Sequence, residues 1–216
     1  MAIQGIERIA DVVVPDTPLA REATELIRSA EDAVLFHHSR RVFLFGALHG
    51  RRLGTHVDLE LLYVAAMFHD LGLTAHYRSS AQRFELDGAD AAREFLVSRG
   101  VDPSDADKVW LGIALHTTPE ITARLDTETA VLAAGVQTDV VGVGRADLAA
   151  ADIDAVVAAH PRPDFKNRIL AAFYHGMQHR PETTFGTMNA DVLAHFDPTF
   201  TRGDLVDAVI NSPWPD

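Results

Sequence analysis

Residues of metal-binding type interrupt apolar helical patterns at four places in the chain: His38, the dipeptide His69-Asp70, His116 and Asp139. A buried polar side chain costs free energy unless it is bonded, and one metal ion would account for all of these places at once. The chain contains no cysteine, so the ligands of such a metal must be imidazole and carboxylate groups. These ligands suit zinc, iron, manganese or nickel better than copper(I).

The positions of these residues along their helices predict that they face the core. His38 shares an apolar stripe with Val42, and His116 and Asp139 each follow apolar residues three and seven positions earlier. His69 and His116 lie in the last turn of their helices, where the helix dipole favours a cation. Taken singly, each histidine is more often a satisfied core residue than a ligand. Asp139 alone would equally fit a buried partner of an arginine.

The elements that must position these residues are predicted to be helices almost throughout. Thr17-Pro18 and Asp102-Pro103 each place a capping side chain before a proline, which is typical of helix starts. Periodic segments predict helices at 18–29, 31–52, 58–72, 87–98, 102–116, 126–141, 152–159 and 164–179, with shorter pieces near 145–149, 187–195 and 202–210. Residues 73–86 are predicted to be irregular, and the run at 12–14 is too short for a convincing strand.

These segments together predict an all-α fold. We expect a single-domain bundle of about nine or ten helices over residues 1–216, with its core at about 30–145 and the helices of 152–210 packing on it. Pro161 and Pro163 are interpreted as a corner in the chain rather than a domain boundary.

Composition argues against several classes of partner. Of 216 residues, 31 are acidic and 19 are Lys or Arg, which gives a net charge of −12. Such a chain is poorly suited to nucleic acid because it lacks the charge that neutralises phosphates. No apolar run approaches the roughly 18 residues of a membrane span, and the N-terminal MAIQGIERIADVVVPDTP has no signal-peptide pattern. We expect a cytoplasmic protein that acts on a small molecule, and its apolar helices would permit a homodimer.

The segments around the metal-type residues sharpen this interpretation. They read HHSRRVFLFG at His38, AAMFHDLGLT at His69, IALHT at His116 and VQTDVVG at Asp139, with RFELDGADAAREFL at 83–96. One His, a tandem His-Asp and a later Asp, in this order and on helices, resemble the HD-domain metal-dependent hydrolase superfamily, and the flanking residues look like the branch that contains cyanamide hydratase. The resemblance covers roughly 30–145, and FKNRILAAF at 165–173 more loosely.

The resemblance implies a single metal site with four ligands, His38, His69, Asp70 and Asp139. His116 matches a position where binuclear members of the superfamily place a ligand to a second metal. We expect one divalent transition metal per chain, zinc first, with iron or manganese as alternatives.

In an enzyme like cyanamide hydratase, the metal would lower the pKa of bound water, and the resulting hydroxide would attack a nitrile carbon. Cyanamide would then give urea. Asp70 and His116 are expected to be catalytic, with His116 acting as a proton donor or a substrate contact.

Further substrate contacts are predicted in and beside the irregular segment. Glu85 would orient the substrate as a third catalytic residue, and a solvated loop acid is an equal interpretation. Tyr77, Arg78 and Phe84 would bind substrate as a lid over the pocket, and a plain connector is the alternative.

Two other functions stay open at this point. An HD-type phosphohydrolase would use Arg40, Arg41 and Arg78 as phosphate contacts, although helix-surface arginines are more often simply solvated. The lysine that several such phosphohydrolases carry shortly after His-Asp is missing, since Leu71–Leu73 stands there, and this weakens that alternative. A non-catalytic helical binding or regulatory module is the third alternative.

Overall fold

A computed structural model describes residues 7–79 and 81–214, which form helices joined by short turns. The α-helices of these residues are α1 Pro18–Ala30, α2 Ala33–Leu53, α3 Leu59–Phe68, α4 Phe84–Val97, α5 Pro103–Leu115, α6 Thr127–Val141, α7 Ala150–Ala159, α8 Phe165–Met177, α9 Asn189–Phe196 and α10 Leu205–Ile210. Single 3-10 turns lie at Leu71–Leu73, Thr122–Arg124, Arg145–Asp147 and Pro181–Thr184. The predicted all-α fold is confirmed.

Side-chain caps fix the helix starts that the sequence predicts. The hydroxyl of Thr17 accepts a hydrogen bond from the backbone N–H of Ala20, and Asp102 accepts one from Ser104. Asp58 and Asp126 cap α3 and α6 in the same way. Each cap satisfies a backbone N–H group that the first turn of a helix leaves without a partner.

The start of α4 differs from the prediction. The helix begins at Phe84, three residues before Asp87, because Phe84 is buried in a hydrophobic cluster with residues of α2 and α8. Asp87 does not cap the helix. Its carboxylate accepts hydrogen bonds from the backbone N–H of Ser79 and from the buried guanidinium of Arg180. Tertiary packing therefore sets this helix start.

The prediction of no strand was wrong for a short hairpin. Strands β1 (Arg8–Ile9) and β2 (Val12–Val13) pair antiparallel, with Arg8 opposite Val13 and Ile9 opposite Val12. The turn residues Ala10 and Asp11 have φ angles of 50° and 59°, the left-handed region that the commonest two-residue hairpin turn requires. Two-residue strands give no alternating pattern long enough to recognise in a sequence.

The long helix α2 runs through the main hydrophobic core and packs against α3 and α6. Its contact with α6 is close because Gly135 lies against the backbone of α2: a Cβ atom at Gly135 would lie 2.3 Å from the carbonyl oxygen of Val42. A second hydrophobic cluster joins the start of α2 to α8 and α9, through Val34, Ile169 and Leu193 among others. The functional side chains of α2 thus lie between these two clusters.

The last helix of the described residues, α10, and the segment after it leave apolar surface uncovered. Large apolar side chains of the C-terminal segment are exposed: Leu205, Val206, Val209, Ile210 and Trp214.

Residues 1–6 of the N-terminal segment, and residues 80 and 215–216, lie outside the described residues, so a single domain over 1–216 stays a prediction. Within 7–79 and 81–214, no helix combines the length and the apolar character needed to cross a membrane.

Candidate metal centre

His69 and Asp70 lie where α3 ends, and this position lets the side chains of two adjacent residues point in the same direction. On a continuing helix their side chains would diverge by about 100°. His69 still has helical backbone angles, but Asp70 departs from them, with φ −103° and ψ 4°. The helix end therefore turns both side chains toward α2, where His38 lies on the buried face.

The three side chains converge in a fully enclosed position. The Nε2 atoms of His38 and His69 are 3.1 Å apart. The Oδ2 atom of Asp70 lies 3.5 Å from Nε2 of His38 and 3.3 Å from Nε2 of His69. One ligand atom from each residue lies within 4.8 Å of the others, a spacing that a single metal ion can bridge.

The hydrogen bonds of the histidines leave one nitrogen of each ring directed at Asp70. The Nδ1 atoms of His69 and His116 donate to the carbonyl oxygens of Ala66 and Ile113, both at 2.7 Å. Because a carbonyl oxygen only accepts, Nδ1 carries the proton, and Nε2 of the neutral ring has a free lone pair. Histidines that bind metals are usually held by their second nitrogen in this way.

Asp70 supplies the observation that best fits a cation. Both of its carboxylate oxygens are buried, and neither has a hydrogen-bond donor within the described residues. Burial alone would raise the pKa of Asp70, but the adjacent imidazoles, His69 first and then His116, outweigh it, so the pKa is well below its ordinary value. A buried, ionised carboxylate without donors is costly unless a cation balances it. The donor set therefore fits a divalent metal.

His116 approaches the second oxygen of the same carboxylate. Its Nε2 atom is 3.6 Å from Oδ1 of Asp70, and its ring meets that of His69 edge-on at 5.0 Å between centroids. His116 follows the last residue of α5, as His69 follows that of α3. Two helix C-termini, each favourable for a cation, thus meet at Asp70.

Asp139 lies on the far side of His38. Its Oδ2 atom accepts a 2.6 Å hydrogen bond from Nδ1 of His38, and both of its oxygens accept bonds from Arg41, at 2.8 and 3.0 Å. Arg162 adds a further ion pair. Burial would raise the pKa of Asp139, but the bond from His38 and the charge of Arg41 lower it to about 2. The structure thus places Asp139 against the outer nitrogen of His38, and direct metal binding by Asp139 stays a prediction.

Glu85 organises a polar network beside His116. Its Oε1 atom accepts hydrogen bonds from Arg83 at 2.7 Å, from Thr117 at 2.5 Å and from Asn189 at 2.9 Å. Burial raises the pKa of Glu85, but the bond from Arg83 outweighs it and the pKa is lowered. Glu85 is therefore a buried, ionised carboxylate that fixes its neighbours, and not the solvated loop acid of the alternative interpretation.

The three residues predicted to form a lid are not brought together. Phe84 is buried, with its ring 5.6 Å from that of His116. Tyr77 packs against the main core, and the exposed Arg78 donates to the carbonyl oxygen of His175. None of the three lines the cavity that opens beside His38, His69, Asp70 and His116.

Sequence reasoning gave one side chain of this centre another role and missed two more. Arg41, considered there as a phosphate contact, is three residues after His38 and so shares its helix face, a signal that could have paired it with the centre. Arg162 lies between Pro161 and Pro163, and no pattern marked it. Glu31 is buried at the end of α1, and burial, with the charge of Asp70 adding to it, raises its pKa well above the ordinary value. Nothing in the sequence distinguished Glu31 from a surface acid.

The comparisons with known proteins agree with this geometry. A family model described as HD domain matches residues 35–159, more than half of the chain. The matched region contains His38, His69, Asp70, His116 and Asp139 and ends before α8. No curated protein matches the chain.

Proposed function

The chain belongs to the HD domain family, whose members are generally metal-dependent hydrolases, and we propose that it adds water to a small nitrile-like substrate, with cyanamide as the first candidate. The observation that carries this proposal is the Asp70 carboxylate. It lacks donors within the described residues, faces three imidazole nitrogens and borders a cavity whose described lining residues include no Lys or Arg.

His38, His69 and Asp70 would hold the metal, with zinc as the first expectation and iron or manganese as alternatives. When bound, the metal supplies Lewis acidity, which makes water a nucleophile near neutral pH. Asp139 keeps the proton of His38 on Nδ1, so that Nε2 is free for binding. Asp139 is in turn held by Arg41 and Arg162.

The proposed reaction first adds water across the carbon–nitrogen triple bond, so that one carbon–oxygen bond forms, one π bond breaks and nitrogen takes up one proton. The remaining O–H proton then moves to nitrogen, and the second carbon–nitrogen π bond is replaced by the π bond of the carbonyl group. Nitrogen takes up two protons in all, and the product is an amide, or urea when the substrate is cyanamide. His116 is placed to move one of these protons, because its Nδ1 is fixed on Ile113 and its side chain borders the cavity. Glu85 acts through Thr117 and Asn189, which line the cavity and would orient the substrate.

The arginines considered for phosphate binding have other partners. Arg41 is fully buried on Asp139. Arg40 donates to the hydroxyl of Tyr63 and to Glu7, each at 2.7 Å. A phosphoester site benefits from cations around the phosphoryl group, so these contacts favour a neutral substrate over a phosphoester. A purely regulatory module has no reason to keep the ionised Asp70 buried without donors.

The direct test follows urea formation from cyanamide by the zinc-loaded protein, with phosphate release from a panel of phosphoesters measured in parallel. We expect urea, and its loss in His69→Ala. Phosphate release without urea would overturn the proposal and restore the phosphohydrolase.

The role of His116 is tested by His116→Gln. Removing a proton carrier typically lowers the rate by 10²–10⁴-fold, so we expect kcat to fall by about this factor while KM and metal content change little. Loss of metal from this variant would instead make His116 a ligand. An unchanged kcat would remove it from the reaction.

A further inference from the structure

The cavity beside the metal centre is much larger than cyanamide. Its volume is about 340 Å³, at the lower end of the roughly 300–1,000 Å³ typical of ligand pockets. A water molecule occupies about 30 Å³ in the liquid, so the cavity has room for on the order of ten such volumes. Cyanamide, with its three heavy atoms, would leave most of this space to solvent.

The wall facing the centre is apolar. It is formed by side chains of α6 and α8 together with α9: Val136, Val140, Ile169, Leu170, Phe173 and Val192. Phe173 is held edge-on against Phe84, which itself contacts His116. Polar groups are found at the reacting end, where Thr117 and Asn189 are tied to Glu85.

Beyond the metal position, the lining of the cavity favours an uncharged group over an anionic one. No described residue that lines it is Lys or Arg. The nearest arginines of the centre are bound elsewhere, Arg41 and Arg162 to Asp139 and Arg83 to Glu85. A charged group placed against the apolar wall would lose its hydration without gaining a partner.

We propose that the substrate is an uncharged nitrile that carries an apolar group, a branched alkyl chain or a single aromatic ring, and that α8 and α9 select this group. The inference rests on the nitrile hydration proposed above and names its substrate class. The selecting helices begin at Phe165, after the matched family region ends at residue 159. Most of the selecting wall thus lies outside the family match, and Val136 and Val140 of α6 lie within it.

Burial of an apolar group predicts a graded series of rates. Each buried methylene contributes about 0.8 kcal/mol, which is about fourfold in kcat/KM. We expect kcat/KM to rise from acetonitrile to butyronitrile to isovaleronitrile. Benzonitrile should exceed both cyanamide and its charged analogue para-cyanobenzoate by more than tenfold.

Leu170→Lys tests the wall directly. Leu170 is 38% exposed, so a lysine can be accommodated there without a buried charge. The variant should lose at least tenfold in kcat/KM for benzonitrile and gain for para-cyanobenzoate, because the new ammonium pairs with the carboxylate. Leu205→Lys makes the same change on α10, where Leu205 is 68% exposed, and should leave both substrates unaffected. Equal kcat/KM values for acetonitrile and benzonitrile would overturn the inference, and so would an unchanged kcat/KM for both test substrates in Leu170→Lys. In either case the proposed hydration of nitriles would still hold.

A binding measurement separates this inference from the reaction. Isothermal titration calorimetry with benzonitrile and with para-cyanobenzoate, on protein with and without zinc, needs no turnover. Preferential binding of benzonitrile that Leu170→Lys weakens supports the apolar site even if no nitrile reacts, in which case the proposed function fails alone. Equal or stronger binding of para-cyanobenzoate to the unmodified protein overturns the inference whatever the activity.

Discussion

The carboxylate of Asp139 holds the His38 ring by Nδ1, and two arginines hold Asp139 in turn. Each bond in this chain restricts the next group, so the position of Nε2 on His38 depends on Asp139 and on the arginines that hold it. Orienting partners of this kind typically change metal affinity by 10–100-fold when removed, whereas removal of a ligand abolishes stoichiometric binding.

Asp139→Asn separates these two roles. We expect it to weaken metal binding by about 10–100-fold, measured by competition with a chelator, because the amide can still hold the ring with less charge. His69→Ala is the comparison and should lose the metal entirely. If Asp139→Asn behaves as His69→Ala does, Asp139 is a direct ligand, as the sequence predicted.

At the scale of the helices, the contact between α2 and α6 positions His38 and Asp139 relative to one another. Gly135 lies against Val42, and one helical turn from this contact are Asp139 on α6 and His38 on α2. A larger residue at 135 would push the two backbones apart where His38 and Asp139 must meet.

Gly135→Ala tests this contact. Helix propensity alone would stabilise the variant by about 1 kcal/mol, but the added Cβ would lie 2.3 Å from a backbone oxygen that cannot rotate away. We expect a net loss of about 1–3 kcal/mol in the free energy of unfolding, with weaker metal binding. The neighbouring change Ala134→Ser, at a half-buried position, should cost less than about 0.5 kcal/mol. A more stable Gly135→Ala would contradict the close contact.

Most of the helices could be predicted from the sequence because their starts are local. Thr17, Asp58, Asp102 and Asp126 cap them as expected, since a cap depends on a few adjacent residues. The start of α4 depends on the burial of Phe84 against α8, which no local pattern records.

The candidate site likewise contains residues that the sequence identified and residues that it did not. His38, His69, Asp70 and His116 stood out because each interrupts an apolar face, and the structure brings them together. The cavity wall did not stand out, because valine, leucine and phenylalanine on α6, α8 and α9 look like ordinary core residues. Only the packing of these helices shows that some of their side chains border a cavity.

At the scale of the whole molecule, the buried His160 contributes to the response to acid. His160 joins the end of α7 to α2: its Nε2 atom accepts a hydrogen bond from Arg40, and its Nδ1 atom contacts that of His37. Burial and then the charge of Arg40 lower the pKa of His160 from 6.5 to about 3. The folded protein therefore keeps His160 neutral at a pH where the unfolded chain binds a proton.

This difference predicts a loss of stability as pH falls from 6.5 toward 3. At pH 5 the cost from His160 alone is about 2 kcal/mol relative to neutral pH. Denaturant unfolding of the metal-free protein at pH 7 and pH 5 should show this drop, and His160→Gln should reduce it by about that amount. The exposed His56 provides the control, since His56→Gln should leave the drop unchanged. An equal drop in His160→Gln would contradict the lowered pKa.

The central claim is that His38, His69 and Asp70 bind a metal, and the most direct test is the metal content of the purified protein by elemental mass spectrometry. We predict about one divalent metal per chain, lost in His69→Ala and retained in the control His175→Ala, whose side chain is exposed. No metal after reconstitution with zinc, iron or manganese, or a metal that His69→Ala retains, would contradict the claim.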